Sequence, residues 1–387
     1  MSTQGPRIAV IGGGAAGMST AVHAARLGAR VTVFETRYPG GGSTGLSAGV
    51  FTTTYSDPLD VALRVESARA LAELHADHAL PVIVNGFLRL SHRDEDTQLF
   101  AAAVAEQHRQ GVEDARLLDR DEIARRFPGL RVDDVLSGLW APGDAYTDGH
   151  LLCSVWAELL TELGGQVIRG TVDGYRGGAP HQLRVDGTWH DADAVVNAAG
   201  AWAPRVGEIL GHHVPMVIER HQLCFAHLTR PLEYLMPTVM DYAQGSGRLG
   251  VYFRAEGEQR LVAGLHSNDI GFDVIEDPDD FSAACDPEFM EQMAEQLLDR
   301  LPGLDDMGLQ EGYAGLYPYS PDGRPIVGPV SDGATVVLAT GGGGVGVNLS
   351  PAMGRLAAEW AVNGAAASEH AESLLPRRFA DAKGGAR

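Results

Sequence analysis

The chain has 387 residues, 44% of them hydrophobic and 21% charged, and a formal net charge of -21. This length exceeds one compact domain and asks for two domains or one large discontinuous one, while the composition excludes a disordered or fibrous chain. The negative balance excludes nucleic acid as a partner, because neutralising phosphates needs clustered Lys and Arg.

Residues 7–11 are a short β-branched run, residues 17–27 read as a helix and residues 30–35 as a second strand, which together make a βαβ unit. Pro58 stands at a helix's first turn, with Leu59, Leu63, Leu71 and Leu74 toward one face, and predicts a helix to about His78. A strand over 87–90 and helices over 96–110 and 119–126 follow. A helix over 151–163 and strands over 166–169 and 194–197 then resume the dinucleotide-type alternation. Residues 214–266 hold alternating apolar runs (HQLCFAHL, LGVYFRAE, QRLVAGLH) that suit an antiparallel sheet exposed on one face. A helix over 287–300, a strand over 334–340 and a helix from about Pro351 to Val362 complete the series, and the tail beyond Ala365 is expected to fray.

The three cysteines, Cys153, Cys224 and Cys285, form no CxxC pair, so neither a disulfide framework nor a metal site is expected, and reduced thiols fit a cytoplasmic location. The apolar run IAVIGGGAAGM is too short to span a bilayer, and no targeting segment or membrane span is read.

Gly12, Gly14 and Gly17 fill the GxGxxG positions between a strand and a helix, with Ala15 and Ala16 among them. Gly12 permits the tight turn, Gly14 lets the backbone approach a pyrophosphate, and Gly17 lets helix and strand pack closely. Glu35 ends the second strand, followed by Thr36 and Arg37, where a carboxylate can accept from both ribose hydroxyls. A second loop, GGGSTGLSAG over 40–49, separates FAD from NAD: its small residues, Ala48 and Gly49 included, let a flat ring lie against the backbone, and Ser43, Thr44 and Ser47 offer hydroxyls. The strand ATVVLAT feeds Gly342, Gly343, Gly344, Val345, Gly346, Val347 and Asn348, where a helix N-terminus can stabilise charge on the reduced flavin.

These segments resemble the D-amino-acid oxidase-like FAD superfamily, in particular its sarcosine oxidase and glycine oxidase branch. The resemblance rests on IGGGAAGM with Glu35, STGLSAG, VVNAAGAWA at 195–203, GLYPYSPDGRPIVG at 315–328 and GGGGVGVNLSPAMG at 341–354. It implies an α/β fold: a Rossmann-type FAD-binding domain (1–80, 148–212 and 313–387) with a discontinuous antiparallel-sheet substrate domain (81–147 and 213–312). It also implies that Ala199, Gly200 and Trp202 lie near the cofactor, that Val172 touches the adenine side, and that the 315–328 segment and the final glycine loop close over the ring.

The sequence departs from the branch in four places. Gly315 stands where covalent members carry a cysteine, so FAD is expected to be non-covalent. Tyr317 stands where glycine oxidases carry a carboxylate-binding arginine and is the best substrate-facing candidate. Asn348 and Val262 replace two lysines, one for substrate carboxylate and one that promotes reaction with oxygen; the only lysine is Lys383. Carboxylate anchoring is then expected from Arg254, Arg248 or His266, or from the hydroxyls of Thr52, Thr53, Thr54 and Tyr55; the cation that promotes reaction with oxygen is missing unless Arg254, His266 or a bound substrate amine supplies it, so slow reoxidation by oxygen and a preference for another acceptor are expected. His221 is either a packed strand residue or a flavin-facing one, and His212 and His213 read as surface residues.

The resemblance therefore implies an FAD-dependent oxidoreductase that takes a hydride from the carbon beside the nitrogen of an amine or amino acid and gives an imine. Oxygen or another electron acceptor would reoxidise it. A 2-hydroxy-acid dehydrogenase on the same fold, or a flavin-binding subunit active only in a hetero-complex, are the alternatives.

Overall fold

A computed structural model describes residues 5–242, 245–247, 249–267 and 271–380; Arg248 and Lys383 lie outside them. The N-terminal half-unit forms as its residues dictate. Strand Arg7–Ile11 pairs in parallel with Arg30–Glu35 on one side and Ala194–Asn197 on the other. The full sheet runs Ile326–Pro329, Val336–Thr340, Ala194–Asn197, Arg7–Ile11, Arg30–Glu35, Gln166–Arg169, parallel except at its first pair. Its central strands are Val- and Ile-rich because both faces are covered, one by helices Ala15–Arg26 and Gly346–Asn363 and the other by the three-stranded sheet Val172–Arg176, His181–Val185, Thr188–Ala192 with helix Ala203–Leu210.

Helices Ala15–Arg26 and Gly346–Asn363 pack against each other closely enough that a Cβ at Gly354 would sit 2.2 Å from Ser19 Oγ. The last helix starts at Gly346, ahead of the expected Pro351, and carries that proline inside it. Pro351 has no N–H for the Val347 carbonyl, and Ser350 Oγ donates to that carbonyl instead, at 2.7 Å. Two other helices begin on sequence-legible caps: Asp57 Oδ1 accepts from Asp60 N ahead of Pro58–His78, and Asp148 Oδ1 accepts from Leu151 N ahead of Gly149–Glu162.

The second layer is a large sheet ordered Asp273–Val274, Val217–His227, Arg260–His266, Gly250–Ala255, Thr238–Asp241, Phe87–Ser91, Ser137–Ala141, Arg116–Asp119, with Gly308–Tyr319 also paired to Val217–His227. It is antiparallel as expected except where Thr238–Asp241 runs parallel to Phe87–Ser91. Phe253, Met293 and Leu297 are fully buried between it and helix Pro287–Arg300. The boundary expected near residue 313 falls inside the unbroken strand Gly308–Tyr319. The tail does not fray where expected: Ala371–Leu374 and Pro376–Phe379 form short 3-10 turns, and Leu374 is fully buried. His212 is half-buried, not a surface residue, and burial lowers its pKa. Among the described residues no helix is long and apolar enough to cross a membrane.

Candidate cofactor and substrate cavity

A cavity of about 970 Å³ opens where the parallel strands end, between the two sheets. That is where open α/β sheets bind ligands. At the first loop Gly12 has φ +103°, and a Cβ there would meet Ala198 O at 2.6 Å. Gly17 is held by packing alone, since its Cβ would lie 1.9 Å from Gly12 O, and it does not line the cavity. Gly14, Ala15 and Ala16 do line it.

Glu35 Oε2 accepts from Gly13 N at 2.7 Å and Oε1 from Arg37 N at 2.8 Å, so the carboxylate is fixed at the cavity wall beside Thr36 and Arg37 with lone pairs to spare. Thr44 Oγ1 accepts from Ala15 N at 3.0 Å, which leaves its proton available to a ligand. Ser47 Oγ donates to Thr44 O at 2.8 Å, so toward the cavity it can only accept. Ser43, Ala48 and Gly49 complete this wall, with Val172, Ala199, Gly200 and Trp202 along the far end. Gly342, Gly343, Gly344, Val345, Gly346, Val347 and Asn348 close the other side. Added Cβ atoms at Gly343 and Gly344 would sit 2.5 Å from the rings of Tyr319 and Tyr317, so the glycine loop lies flat on those tyrosines.

Around this long cradle stand the substrate-facing groups. Tyr317 lines the cavity with Tyr252, which stands on strand Gly250–Ala255 of the same sheet, and is stacked on His221. Burial raises the pKa of both tyrosines, most of all Tyr252, so both remain phenols. Asn348 Nδ2 donates to Thr52 O at 3.1 Å, while its Oδ1 is buried without a partner among the described residues. His266 lines the cavity, and burial, with Arg89 and His221 nearby, depresses its pKa to about 3. It is a neutral imidazole at pH 7 and not the cation proposed from sequence.

Two further expectations are corrected. Arg254 does not line the cavity: its Nε donates to Ala48 O at 2.8 Å, its Nη1 donates to Ala255 O and pairs with Glu256, and its guanidinium covers the Tyr146 ring. Val262 is buried away from the cavity, and His266, on the same strand, reaches the wall instead. Of the hydroxyl run, Thr52 and Tyr55 line the cavity and Thr53 and Thr54 do not.

Sequence reasoning missed Arg89. It projects from Phe87–Ser91 into the cavity, 4.9 Å from the Tyr55 ring centroid and 5.8 Å from that of Phe87. Its Nε is buried and has no partner among the described residues. Arg64, also at the wall, is spoken for by Asp60, Thr52 O and the ring of Tyr55. The signal for Arg89 was a lone arginine alternating with leucines in FLRLS, on the strand face it shares with Phe87 and Ser91.

A glycine-cleared cradle, a carboxylate fixed at the end of the second strand and hydroxyls at the helix terminus fit FAD. The fold and the cavity define a flavin-dependent oxidoreductase. The chain belongs to the DAO family of FAD dependent oxidoreductases, whose family model matches residues 7–360. It is 28% identical to mitochondrial sarcosine dehydrogenase of Homo sapiens over 92% of this chain and 40% of that protein. It is 27% identical to the uncharacterized oxidoreductase YurR of Bacillus subtilis (strain 168), covering 89% of this chain and 92% of that one. The chain thus spans about 40% of the length of the sarcosine and dimethylglycine dehydrogenases it resembles. In structure it matches L-proline dehydrogenase from P. horikoshii (TM-score 0.87, 22% identity, 98% of this chain and 99% of that). It also matches iminodiacetate oxidase from Chelativorans sp. BNC1 (TM-score 0.78, 26% identity, 96% and 99%).

Proposed function

We propose that the chain oxidises the C–N bond of a carboxylate-bearing amine to an imine. The observation that carries this reading is Arg89, a cavity-facing guanidinium with an unpartnered Nε, placed to bind a carboxylate through charge-assisted hydrogen bonds. The same cavity holds an orphaned acceptor, Asn348 Oδ1, that suits an N–H donor. Tyr252 and Tyr317 remain protonated and orient the substrate; neither they nor the neutral His266 need act as a strong base when the amine is bound with its lone pair free. FAD, when bound, supplies the acceptor for the hydride leaving the carbon beside nitrogen. Gly315 offers no thiol, so the cofactor is expected to dissociate intact on acid precipitation. The relatives named for sarcosine, dimethylglycine, proline and iminodiacetate all act, by their names, on carboxylated amines, which supports the class without choosing a member.

An anaerobic screen of the FAD-loaded chain tests this. Sarcosine, dimethylglycine, proline, iminodiacetate and glycine are compared with lactate and with amines lacking a carboxylate, reading loss of flavin absorbance. The expected result is bleaching by one or more carboxylated amines, with Arg89→Met weakening that substrate roughly 10- to 100-fold through the lost charged hydrogen bonds. Bleaching by lactate alone would instead make the chain a 2-hydroxy-acid dehydrogenase. Bleaching only after a copurifying chain is added back would make it a subunit of a hetero-complex.

A further inference from the structure

We propose that residues 275–282 form an ionic strap across the far end of the cofactor cavity, and that its carboxylates must let go of Arg205 and Trp202 before FAD can enter or leave. Loading of FAD is the step it controls, whatever substrate the chain oxidises. The strap starts after strand Asp273–Val274, at the edge of the large sheet, and ends before helix Pro287–Arg300. Both of its ends are fastened to the body of that sheet. Ile275 N donates to Ile218 O at 2.8 Å. At the other end Arg220, 5% exposed, donates to Ser282 O at 2.8 Å, to Ala284 O at 2.6 Å and to Asp286 Oδ2 at 2.6 Å, and Ala314 N donates to Ala283 O at 2.9 Å.

Between these fastenings the chain reaches across to the other layer. Asp279 Oδ1 accepts from Trp202 Nε1 at 2.8 Å, Asp279 Oδ2 pairs with Arg205 Nη1, and Asp277 Oδ1 accepts from Arg205 Nη2 at 2.6 Å. Asp279 N donates to Asp277 Oδ1 at 2.9 Å, which holds the two carboxylates side by side. Arg205 belongs to helix Ala203–Leu210 and Trp202 to the turn before it, so these bonds join the two layers. Trp202, Arg205 and Asp279 all line the cavity, as Val172 does. The indole also reaches the opposite wall: its Cζ3 lies 3.8 Å from where a Cβ at Gly42 would stand. Trp202 therefore spans from the second glycine loop to the strap, and Asp279 fixes it there.

Water distinguishes the middle of the strap from its ends. The side chains of Arg205, Asp277 and Asp279 are 45%, 56% and 57% exposed, whereas the guanidinium of Arg220 is buried. Exposed ion pairs are weak and are screened by salt, so the middle can lift while the buried fastening at Arg220 holds. Ile275 and Phe281 add only a partly buried apolar contact with Ala201, Ile218 and Leu316. Lifting frees Trp202 from Asp279 and widens the rim on the side where the dinucleotide lies. Closing restores all three bonds and traps what has entered.

Flavin fluorescence tests this by timing FAD release from the loaded protein and FAD rebinding after the cofactor has been removed. Two variants change the charge at the rim in opposite directions. Asp277→Asn combined with Asp279→Asn removes two negative charges, and Arg205→Gln removes one positive charge. Both break the strap, so both are expected to speed release and rebinding alike, by about fivefold or more, with affinity changed less than either rate. If these groups act only through their charge on the phosphates of FAD, the aspartate pair speeds rebinding and Arg205→Gln slows it, which would overturn the strap. Faster release with unchanged rebinding in both variants would also overturn it, because the pairs would then only add affinity. The wild type gives a check that needs no variant: raising salt from about 0.05 to 0.5 M is expected to speed its FAD release, and to leave release from both variants unchanged. Release that ignores salt in the wild type would count against the strap.

Discussion

His221 lies flat against Tyr317, their ring centroids 4.0 Å apart and their planes inclined by 15°. The two come from the paired strands Val217–His227 and Gly308–Tyr319, and Phe272 covers the histidine from another side, also at 4.0 Å. Burial lowers the pKa of His221 against the pull of Glu219, so it is the neutral ring that holds the phenol in place. His221→Ala is expected to lower stability by about 0.5–1.5 kcal/mol from the lost aromatic pair alone, read in urea unfolding. It should also weaken substrate-dependent bleaching, whereas His221→Phe should keep both.

Glu35 is bonded to the backbone before any ligand arrives. Replacing it with alanine removes the ribose acceptor and also frees Gly13 N and Arg37 N from their fixed positions. Titration of the apoprotein with FAD is expected to show affinity reduced by about 1–3 kcal/mol, with Glu35→Gln intermediate. Unchanged affinity in both variants would remove Glu35 from the cofactor site.

The choice of electron acceptor turns on which cation reaches the cavity. A fixed positive charge stabilises superoxide formed from oxygen in a low-dielectric site. Arg254 is pinned to Ala48, Ala255 and Glu256, and His266 is neutral, so of these three it is Arg89 that brings a charge to the cavity wall. Stopped-flow reoxidation of the photoreduced protein by oxygen should be slowed by Arg89→Met and left unchanged by His266→Ala. The reverse order would show that the imidazole is charged in the reduced state.

A buried ionic knot ties the large sheet to helix Pro287–Arg300. Arg300, 1% exposed, donates to Asp241 at 2.7 Å and Asp134 at 2.9 Å, and His92 Nε2 lies 2.5 Å from Asp241. Burial raises the pKa of both carboxyls, but His92 and Arg300 overcome it; Asp134 ends at about 2 and Asp241 below its ordinary value. Depressed carboxylate pKa values give stability that is present above about pH 4 and lost as pH falls toward 2. Arg300→Met should therefore cost about 3–5 kcal/mol at pH 7 by stranding two charges, and should shift acid unfolding to higher pH. Urea melts at pH 7 and a pH titration followed by circular dichroism check both.

What could be read from residues was local. The turn at Gly12, the carboxylate at Glu35 and the helix opened by Asp57 and Pro58 depend on neighbours in the chain, and their places follow from spacing. Arg89 depends on strand Thr238–Asp241 arriving parallel to Phe87–Ser91 from far along the sequence, a pairing that no local pattern specifies. Arg254 and Tyr252 share a face of one strand, so alternation could not tell that the phenol reaches the cavity while the guanidinium is drawn aside to Ala48 O.

The cavity walls are written at opposite ends of the message. Gly12 and Glu35 are made early, whereas Gly342 to Asn348 and the helix that seals Ser19 against Gly354 are made late. Strand Val336–Thr340 must slot beside Ala194–Asn197 before the glycine loop can settle on Tyr317. A nascent chain on the ribosome therefore carries half a cradle with nothing to close it. The cradle can close on a cofactor only once helix Gly346–Asn363 has been made.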